Sequence, residues 1–294
     1  MRFFWLKLGG TFFLALFVML FFASLPPKNF PAGQTVHISK NTPLSEVSNL
    51  IWSKHAITSP FLFKYIIFVL YGQRNVVAGD YLFSRPTYVW VVANRMVKGE
   101  QGLPKIKITI PEGSTSKDIA WILLKNIPDF DAPYFAKITA NSEGYLFPDT
   151  YFFYQNSSPE EIVDSLKGSF KNKINSFFSS INLSGRKLED IITMASIVER
   201  EAANSKDRAI IAGILWKRLD IGMPLQVDVA LDTYDYKGLP RGGPIANPGI
   251  DSLKAVLNPT PTKYFYYLSD KDGVMHYAVD HKGHIANRVK YLNK

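Results

Sequence analysis

Residues 181–203 read INLSGRKLEDIITMASIVEREAA, and their apolar side chains recur at helical spacing. At 100° per residue these side chains fall on one broad face of a helix. That face comprises Leu188, Ile191, Ile192, Met194, Ala195, Ile197, Val198 and Ala202. We predict a helix that begins near Ser184, ends near Asn204 and organises the core of the C-terminal half.

The same helix carries two carboxylates near its end. Glu199 and Glu201 are about 160° apart at 3.6 residues per turn, on opposite flanks of the apolar face, so they cannot serve one cleft together. Each glutamate could simply place its head in water. Alternatively, the small neighbours of Glu199 along its stripe, Ala195, Ser196 and Ala203, leave room for a ligand beside a general acid. Periodicity alone leaves both readings open.

Two further helices flank this one in sequence. Ser158 followed by Glu161 is a capping-box pattern, which predicts a helix that runs toward Phe170. Ser205 is the predicted cap of a third helix, and Gly222 is its predicted end.

Beyond Gly222 the chain is rich in Pro, Gly, Asn and Tyr. Long irregular segments of this kind within a compact domain usually carry function. Lys263–Asp270 and Val274–Asp280 are strand-like, and Asp272-Gly273 between them predicts a hairpin.

The N-terminal half contains a weak internal repeat. Val36–Ile51 resembles Ile108–Leu123, and each segment predicts a strand, a turn and an amphipathic helix. Each is followed by a predicted Tyr-Leu-Phe strand, at Tyr81–Phe83 and Tyr145–Phe147. Two related units are one explanation. The other is chance, because capping places similar residues at many helix starts. Either way the predicted fold class is α+β.

Composition limits the function classes. The chain has 294 residues, 47% of them hydrophobic, which is enough for a large core. It has no cysteine, so disulfides, thiolate nucleophiles and cysteine-ligated metals are excluded. The net charge of +9 suits an anionic polymer or membrane surface, but the basic residues form no dense tract, and we expect no nucleic-acid partner.

The N-terminus predicts a membrane anchor. Leu8–Leu25 is an uncharged apolar run of 18 residues, about the minimum for a hydrocarbon core of roughly 30 Å. Arg2 and Lys7 precede it, which places residues 1–7 in the cytoplasm. A cleaved signal peptide is the alternative, but small residues do not occupy both key positions of a cleavage site. Residues 26–34 are then a short linker.

Several motifs resemble, in order, those of the YceG-like family of endolytic murein transglycosylases. They are ITIPEGST (Ile108–Thr115), EGYLFPDTYFF (Glu143–Phe153), ASIVEREA (Ala195–Ala202), AGILWKRLDIGMPLQVD (Ala212–Asp228), GLPRGGPIANPGIDSLKAVLNPTPTKYFYYLS (Gly238–Ser269) and GVMHYAV (Gly273–Val279). The resemblance implies an enzyme that cleaves the bond between N-acetylmuramic acid and N-acetylglucosamine without water. It would leave 1,6-anhydro ends and terminate the elongation of nascent peptidoglycan strands.

The resemblance also implies site residues. The family's catalytic glutamate lies in SIVE, here Glu199, and Glu201 matches a recurrent acidic position that we expect to be supporting. The substrate-binding residues implied by matching motifs are Gln226, Asp228, Asn247, Ser252, Asn258, Tyr264 and Tyr266. His276 matches a family position, although Ala278 replaces the usual aromatic, and His284 is assigned no role. We expect no metal and no cofactor.

The resemblance further implies the domain organisation. Residues 35–156 would form LysM-like α+β units and residues 157–294 the catalytic domain, held at the outer face of the inner membrane. The expected partners are glycan strands of peptidoglycan and the membrane, and peptidoglycan synthases are a candidate class. The rival interpretation is a non-catalytic peptidoglycan-binding scaffold of the cell-wall machinery, against which the intact SIVE motif argues.

Overall fold

The computed structural model describes residue 14 and residues 17–72, 76–202 and 204–292. It divides into two compact units, one ending at Pro104 and the other starting at Lys105. The predicted anchor, Leu8–Leu25, lies partly outside the described residues, and residues 17–24 of it are helical. Within the described part of the chain, no helix is both long enough and apolar enough to cross a membrane.

In the first unit, two strands pair with each other, and two helices connect them in the sequence. Its elements are β1 (Gln34–Ile38), α1 (Leu44–Ser53), α2 (Pro60–Tyr71), β2 (Gly79–Phe83) and α3 (Val89–Lys98). β1 and β2 are antiparallel, with Val36 opposite Tyr81. The predicted strand Tyr81–Phe83 is therefore confirmed. Alternate strand residues face a core that α1, α2 and α3 complete.

The second unit opens with the same element order. It begins with β3 (Lys105–Thr109), α4 (Ser116–Asn126), α5 (Ala132–Thr139) and β4 (Thr150–Tyr154). β3 and β4 are again antiparallel. Both halves of the predicted repeat thus have the order strand, helix, helix, strand.

The predicted strand at Tyr145–Phe147 is wrong. The strand lies later, at β4, because the backbone donors of the earlier segment are used elsewhere. Leu146 donates its N–H to the side chain of Asn247, and Phe147 donates to the carbonyl of Leu166. Gly144, at φ 85°, turns the chain away from an extended path just before them.

The helical part of the second unit agrees with most of the predicted boundaries. It contains α6 (Pro159–Asn175), α7 (Phe178–Ser184), α8 (Leu188–Glu201) and α9 (Ser205–Asp220). The capping box of Ser158 and Glu161 is present. The predicted start of the glutamate-bearing helix near Ser184 is wrong, because Gly185 adopts φ 67° and separates α7 from α8. Asn204, rather than Ser205, caps α9.

The remainder packs on α8 and α9. A 3₁₀ turn (Leu231–Tyr234) is followed by α10 (Ile250–Leu257), β5 (Tyr266–Ser269), β6 (Met275–Ala278) and α11 (His281–Tyr291). β5 and β6 form the predicted hairpin, with Gly273 at φ 76° in its turn. The buried residues of α8 lie in one apolar cluster with side chains from α9, α10 and the loop after α9. This packing fixes the last turn of α8, where the two glutamates lie.

Candidate active site

The two glutamates of α8 point into different surroundings, as the helical period predicted. Residues 191–198 of α8 are buried, so Glu199 and Glu201 are carried by the final turn of a helix fixed in the core.

Glu199 is a buried member of an ion pair. Its side chain is 4% exposed, and its Oε1 lies 2.6 Å from Nη2 of Arg208. Its Oε2 accepts a hydrogen bond of 2.8 Å from the N–H of Gly249, the N-cap residue of α10. A carboxylate at a helix N-terminus is stabilised by the helix dipole. Both oxygens of Glu199 thus hold neighbouring elements together.

Glu112 completes this cluster. Its Oε2 lies 3.9 Å from Nη1 of Arg208. Burial raises the pKa of Glu112, the nearby charge of Glu199 raises it further, and Arg208 opposes the rise. A Cβ on Gly249 would lie 1.9 Å from Oε1 of Glu112, so a larger residue here would displace the Glu112 carboxylate. The cluster ties α8, α9 and α10 to the segment after β3.

Glu201 lies in a cleft on the other flank of α8. The cleft has a volume of about 580 Å³. Its polar and aromatic lining residues include Glu201, Arg218, Gln226, Asp228, Tyr234, Tyr266, Tyr267, His281, His284 and Arg288. These side chains come from α8, α9, the loop after α9, the hairpin and α11. Clefts with a few convergent polar groups are the usual sites of ligand binding.

The electrostatics of the cleft favour a protonated Glu201. Burial raises the pKa of this carboxyl, and the charge of Asp228 adds to the rise. The hydroxyl of Tyr267 donates to Oε2 at 3.0 Å and opposes it, because a donated hydrogen bond stabilises the charged form. A carboxyl that keeps its proton at higher pH than usual is suited to general acid catalysis.

Arg218 organises the cleft beside Glu201. Its Nη2 donates to Oε1 of Gln226 at 2.7 Å, and its Nε donates to the carbonyl of Pro224 at 2.9 Å. Its guanidinium lies 5.5 Å from the centre of the Tyr266 ring. Gln226 has a left-handed backbone, with φ 52°, a conformation that costs a non-glycine residue about 1–3 kcal/mol. Such strain is typical of functional sites.

A second carboxylate lies in the same cleft. Asp228 accepts a short hydrogen bond from the hydroxyl of Tyr234, on the 3₁₀ turn. This bond raises the pKa of Tyr234. The structure thus brings three of the predicted substrate-binding residues, Gln226, Asp228 and Tyr266, to one cleft with Glu201.

The C-terminal helix, α11, contributes His284 to the cleft, a role that the sequence did not predict. His284 stacks on Tyr266 with ring centres 5.3 Å apart, and its Nδ1 is buried without a hydrogen-bond partner. Burial lowers the pKa of His284, and the nearby positive charges of Arg288 and His281 lower it further. The imidazole that lines the cleft therefore holds its second proton less readily than an ordinary histidine does. The His284-Ile285 pair, which departs from the His-Asn of the resembling family, gave no signal for this role.

The other four predicted substrate-binding residues are not part of the lining of this cleft. Asn247 is fully buried, accepts from the Leu146 N–H at 2.9 Å and donates to Ser114 O at 2.9 Å and Glu143 Oε1 at 2.7 Å. The other three are Ser252, which is buried, Asn258, which is exposed on the α10 end, and Tyr264, whose ring stacks on Tyr277. Their contact with substrate stays a prediction.

His276 is held within the hairpin region. Its Nε2 lies 2.8 Å from Oδ2 of Asp270, and its ring stacks on Tyr291 at 3.6 Å. Across the described ranges, no group of three or more histidine, aspartate and glutamate side chains is arranged to hold a metal ion.

Comparisons with known proteins agree with the motifs. A family model described as the YceG-like family matches residues 36–232 and 230–290. An endolytic murein transglycosylase of Bacillus subtilis strain 168 is 26% identical over 315 residues, covering 90% of this chain and 84% of that protein. A solved structure of a YceG-like protein from Listeria monocytogenes has a TM-score of 0.56, 24% identity, and covers 86% of this chain and 98% of that one. This likeness shows the fold.

Two relatives from Streptococcus pneumoniae match only in part. The endolytic murein transglycosylases of strains D39 and R6 are each 29% identical over 179 residues, which is 51% of this chain. The chain spans about a third, 32%, of their length.

Proposed function

The chain belongs to the YceG-like family, and from this premise we propose that it is an endolytic lytic transglycosylase of peptidoglycan. The main support for the proposal is the Glu201 carboxyl, which lies in a polar, aromatic cleft. Burial raises its pKa, and its Oε2 accepts a hydrogen bond from the hydroxyl of Tyr267. The relatives named endolytic murein transglycosylases support the same reaction. The protein would thereby terminate the elongation of nascent glycan strands.

The proposed reaction needs one carboxyl, because the substrate supplies the second group. Glu201 gives its proton to the glycosidic oxygen, and the bond from C1 of N-acetylmuramic acid to that oxygen breaks. The 2-acetamido group of the same sugar stabilises the positive charge that develops at C1. Its C6 hydroxyl then attacks C1 and returns a proton to Glu201, which regenerates the acid. An intramolecular nucleophile gains from effective molarity and requires no water.

This proposal assigns Glu201 the role that the family resemblance gave to Glu199. The support is the difference in their contacts, since both oxygens of Glu199 are bound inside the protein by Arg208 and Gly249. A general acid has to reach the leaving oxygen directly or through one water. We therefore propose that Glu199 is a positioning residue, which fixes the end of α8 so that Glu201 faces the cleft.

The other cleft residues suit a glycan. The ring of Tyr266 offers a face for stacking on a sugar, and Arg218 and Gln226 offer groups that can bond acetamido or hydroxyl oxygens. Asp228 would orient hydroxyls, and its charge adds to the rise that burial causes in the pKa of Glu201.

We further propose that the protein is anchored in the inner membrane by Leu8–Leu25, with the LysM-like units and the catalytic domain outside the cytoplasm. The support is the uncharged run with Arg2 and Lys7 before it. An alkaline phosphatase fused after Lys294 should be active and a green fluorescent protein in the same place dark. A bright fluorescent fusion with inactive phosphatase would contradict this topology.

Mass spectrometry of digested peptidoglycan tests the reaction. We expect internal cleavage with 1,6-anhydro ends, so each product is one water lighter than the matching hydrolytic fragment. Mainly reducing ends would instead identify a muramidase, with Asp228 as the candidate base for water. Binding of strands without any cleavage would favour the non-catalytic scaffold.

A further inference from the structure

The second helix of the first unit, α2, has an apolar surface on both of its sides. Its sequence, PFLFKYIIFVLY, has Lys64 as its one charged residue. Leu62, Phe63 and Ile67 are buried in the core of the unit. A helix that is apolar all round is normally buried all round. The outer side of α2 is apolar as well, but the core of the unit does not bury it.

The exposed side of α2 is large and rich in aromatic residues. Phe61 is 73% exposed and Phe68 is 63% exposed, although phenylalanine side chains are usually buried. The exposed side chains on this side of the helix, which we call the α2 outer face, are Phe61, Tyr65, Phe68 and Val69. Contiguous exposed apolar surface of this kind marks an interaction site. Aromatic side chains are enriched where protein meets the headgroup region of a bilayer.

A contact in the structure places the start of α2 beside a second apolar helix. The hydroxyl of Thr58 donates to the carbonyl of Leu25 at 2.7 Å, one residue before the Ser59 cap of α2. Residues 17–24, which lead to Leu25, are helical and expose Phe17, Met19 and Phe22. The end of this helix is held by the unit, since Ala23 packs against its core and Ser24 is buried.

We propose that the α2 outer face lies in the surface of the lipid bilayer that the N-terminal run enters. The apolar side chains of two helices that meet at the Leu25–Thr58 contact then share one lipid environment. α2 has 12 residues and is about 18 Å long, too short to cross a hydrocarbon core of roughly 30 Å. It is therefore suited to lie on the membrane, where Lys64 can extend its amine to the headgroups.

The charge of the first unit fits an anionic membrane. Residues 26–104 contain eight lysines and arginines against three aspartates and glutamates, a net charge of +5. Basic residues near an anionic leaflet strengthen the binding of an apolar helix face. The same charge would oppose the pairing of two such units through their α2 outer faces, because like charges repel. The bilayer is thus the occupant that both apolarity and charge favour.

Site-specific labelling of the full-length protein tests this proposal. The chain has no cysteine, so Phe61→Cys and Phe68→Cys each accept an environment-sensitive NBD label without background. Ser84→Cys, at an exposed position after β2 in the same unit, is the matched control. The labelled proteins are reconstituted in vesicles of phosphatidylethanolamine and phosphatidylglycerol. Quenching is measured with lipid-borne nitroxide and with aqueous iodide, and circular dichroism verifies folding.

We expect the nitroxide to quench labels at 61 and 68, and iodide to quench them several-fold less than the label at 84. Equal iodide quenching at all three positions would overturn the proposal. Protection in native membranes but not in these vesicles would also overturn it, because a protein would then cover α2. Glycan cleavage is read from product masses, so failure of the membrane contact is distinguishable from failure of the proposed function.

Discussion

The two flanks of the last turn of α8 carry the same residue type in opposite situations. On one flank, Glu199 has both oxygens bound by Arg208 and Gly249 and is closed off from solvent. On the other, Glu201 lines a cleft of about 580 Å³ and accepts one hydrogen bond from Tyr267. A fully partnered carboxylate stabilises a fold. A carboxyl with raised pKa in a cleft can exchange a proton with a ligand.

The largest expected effect is the loss of activity in Glu201→Gln. The amide keeps the size and can still accept from Tyr267, but it has no proton for the leaving oxygen. General acid catalysis contributes roughly 10²–10⁴-fold, and we expect a loss in that range in the initial rate of strand cleavage. Circular dichroism should show intact folding.

The matched control for this substitution is Glu199→Gln, made two residues away on the same helix. Its residual activity, measured at a temperature where the variant is folded, should exceed that of Glu201→Gln many-fold. If a well-folded Glu199→Gln is inactive while Glu201→Gln cleaves normally, the catalytic flank is the one that the motif resemblance assigned.

The next effect is a loss of stability on the Glu199 flank. Glu199→Ala leaves the guanidinium of Arg208, 10% exposed, without its closest partner. Breaking a buried pair from one side costs about 3–5 kcal/mol, which urea denaturation should resolve. The double variant Glu199→Leu with Arg208→Met should recover much of this loss, because apolar replacement of both partners is often neutral. A stable Glu199→Ala would contradict a positioning role.

Much of this comparison follows from sequence. The helical period separated Glu199 from Glu201, and local signals gave the capping box at Ser158 and the hairpin at Gly273. Each of these depends on residues that are neighbours in the chain. The resemblance also placed Gln226 and Tyr266 among site residues, and the structure brings both to the cleft.

The remainder depends on contacts between distant segments. No local pattern shows that Asn247 binds Leu146, which is why Tyr145–Phe147 is not a strand. None shows that Arg208 and Gly249 occupy the oxygens of Glu199. The packing of α11 that places His284 against Tyr266 is likewise a tertiary contact.

A smaller effect should follow from Tyr267→Phe, which sharpens the account of the Glu201 flank. The Tyr267 hydroxyl lowers the pKa of Glu201, so its removal should raise that pKa further. The first step requires protonated Glu201, and the alkaline limb of the rate profile should therefore move to higher pH. A shift to lower pH would show that Tyr267 does not act through the carboxylate.

The smallest effect concerns stability against pH. Burial raises the pKa of Glu201 above its unfolded value, so its stabilising contribution is present at acid pH and declines as pH rises through the folded pKa. Glu201→Gln carries no such dependence. Its melting temperature relative to the wild-type protein should therefore rise from acid to neutral pH. A difference that falls over this range would contradict a raised pKa for Glu201.

The most direct test of the central claim is a crystal structure of Glu201→Gln with an uncleaved glycan fragment of alternating N-acetylglucosamine and N-acetylmuramic acid. We expect the amide of residue 201 at hydrogen-bond distance, about 2.6–3.2 Å, from a glycosidic oxygen. We also expect a sugar ring against Tyr266, with Glu199 still bound to Arg208. A glycan that leaves this cleft empty and places its glycosidic bond beside Glu199 would contradict the account.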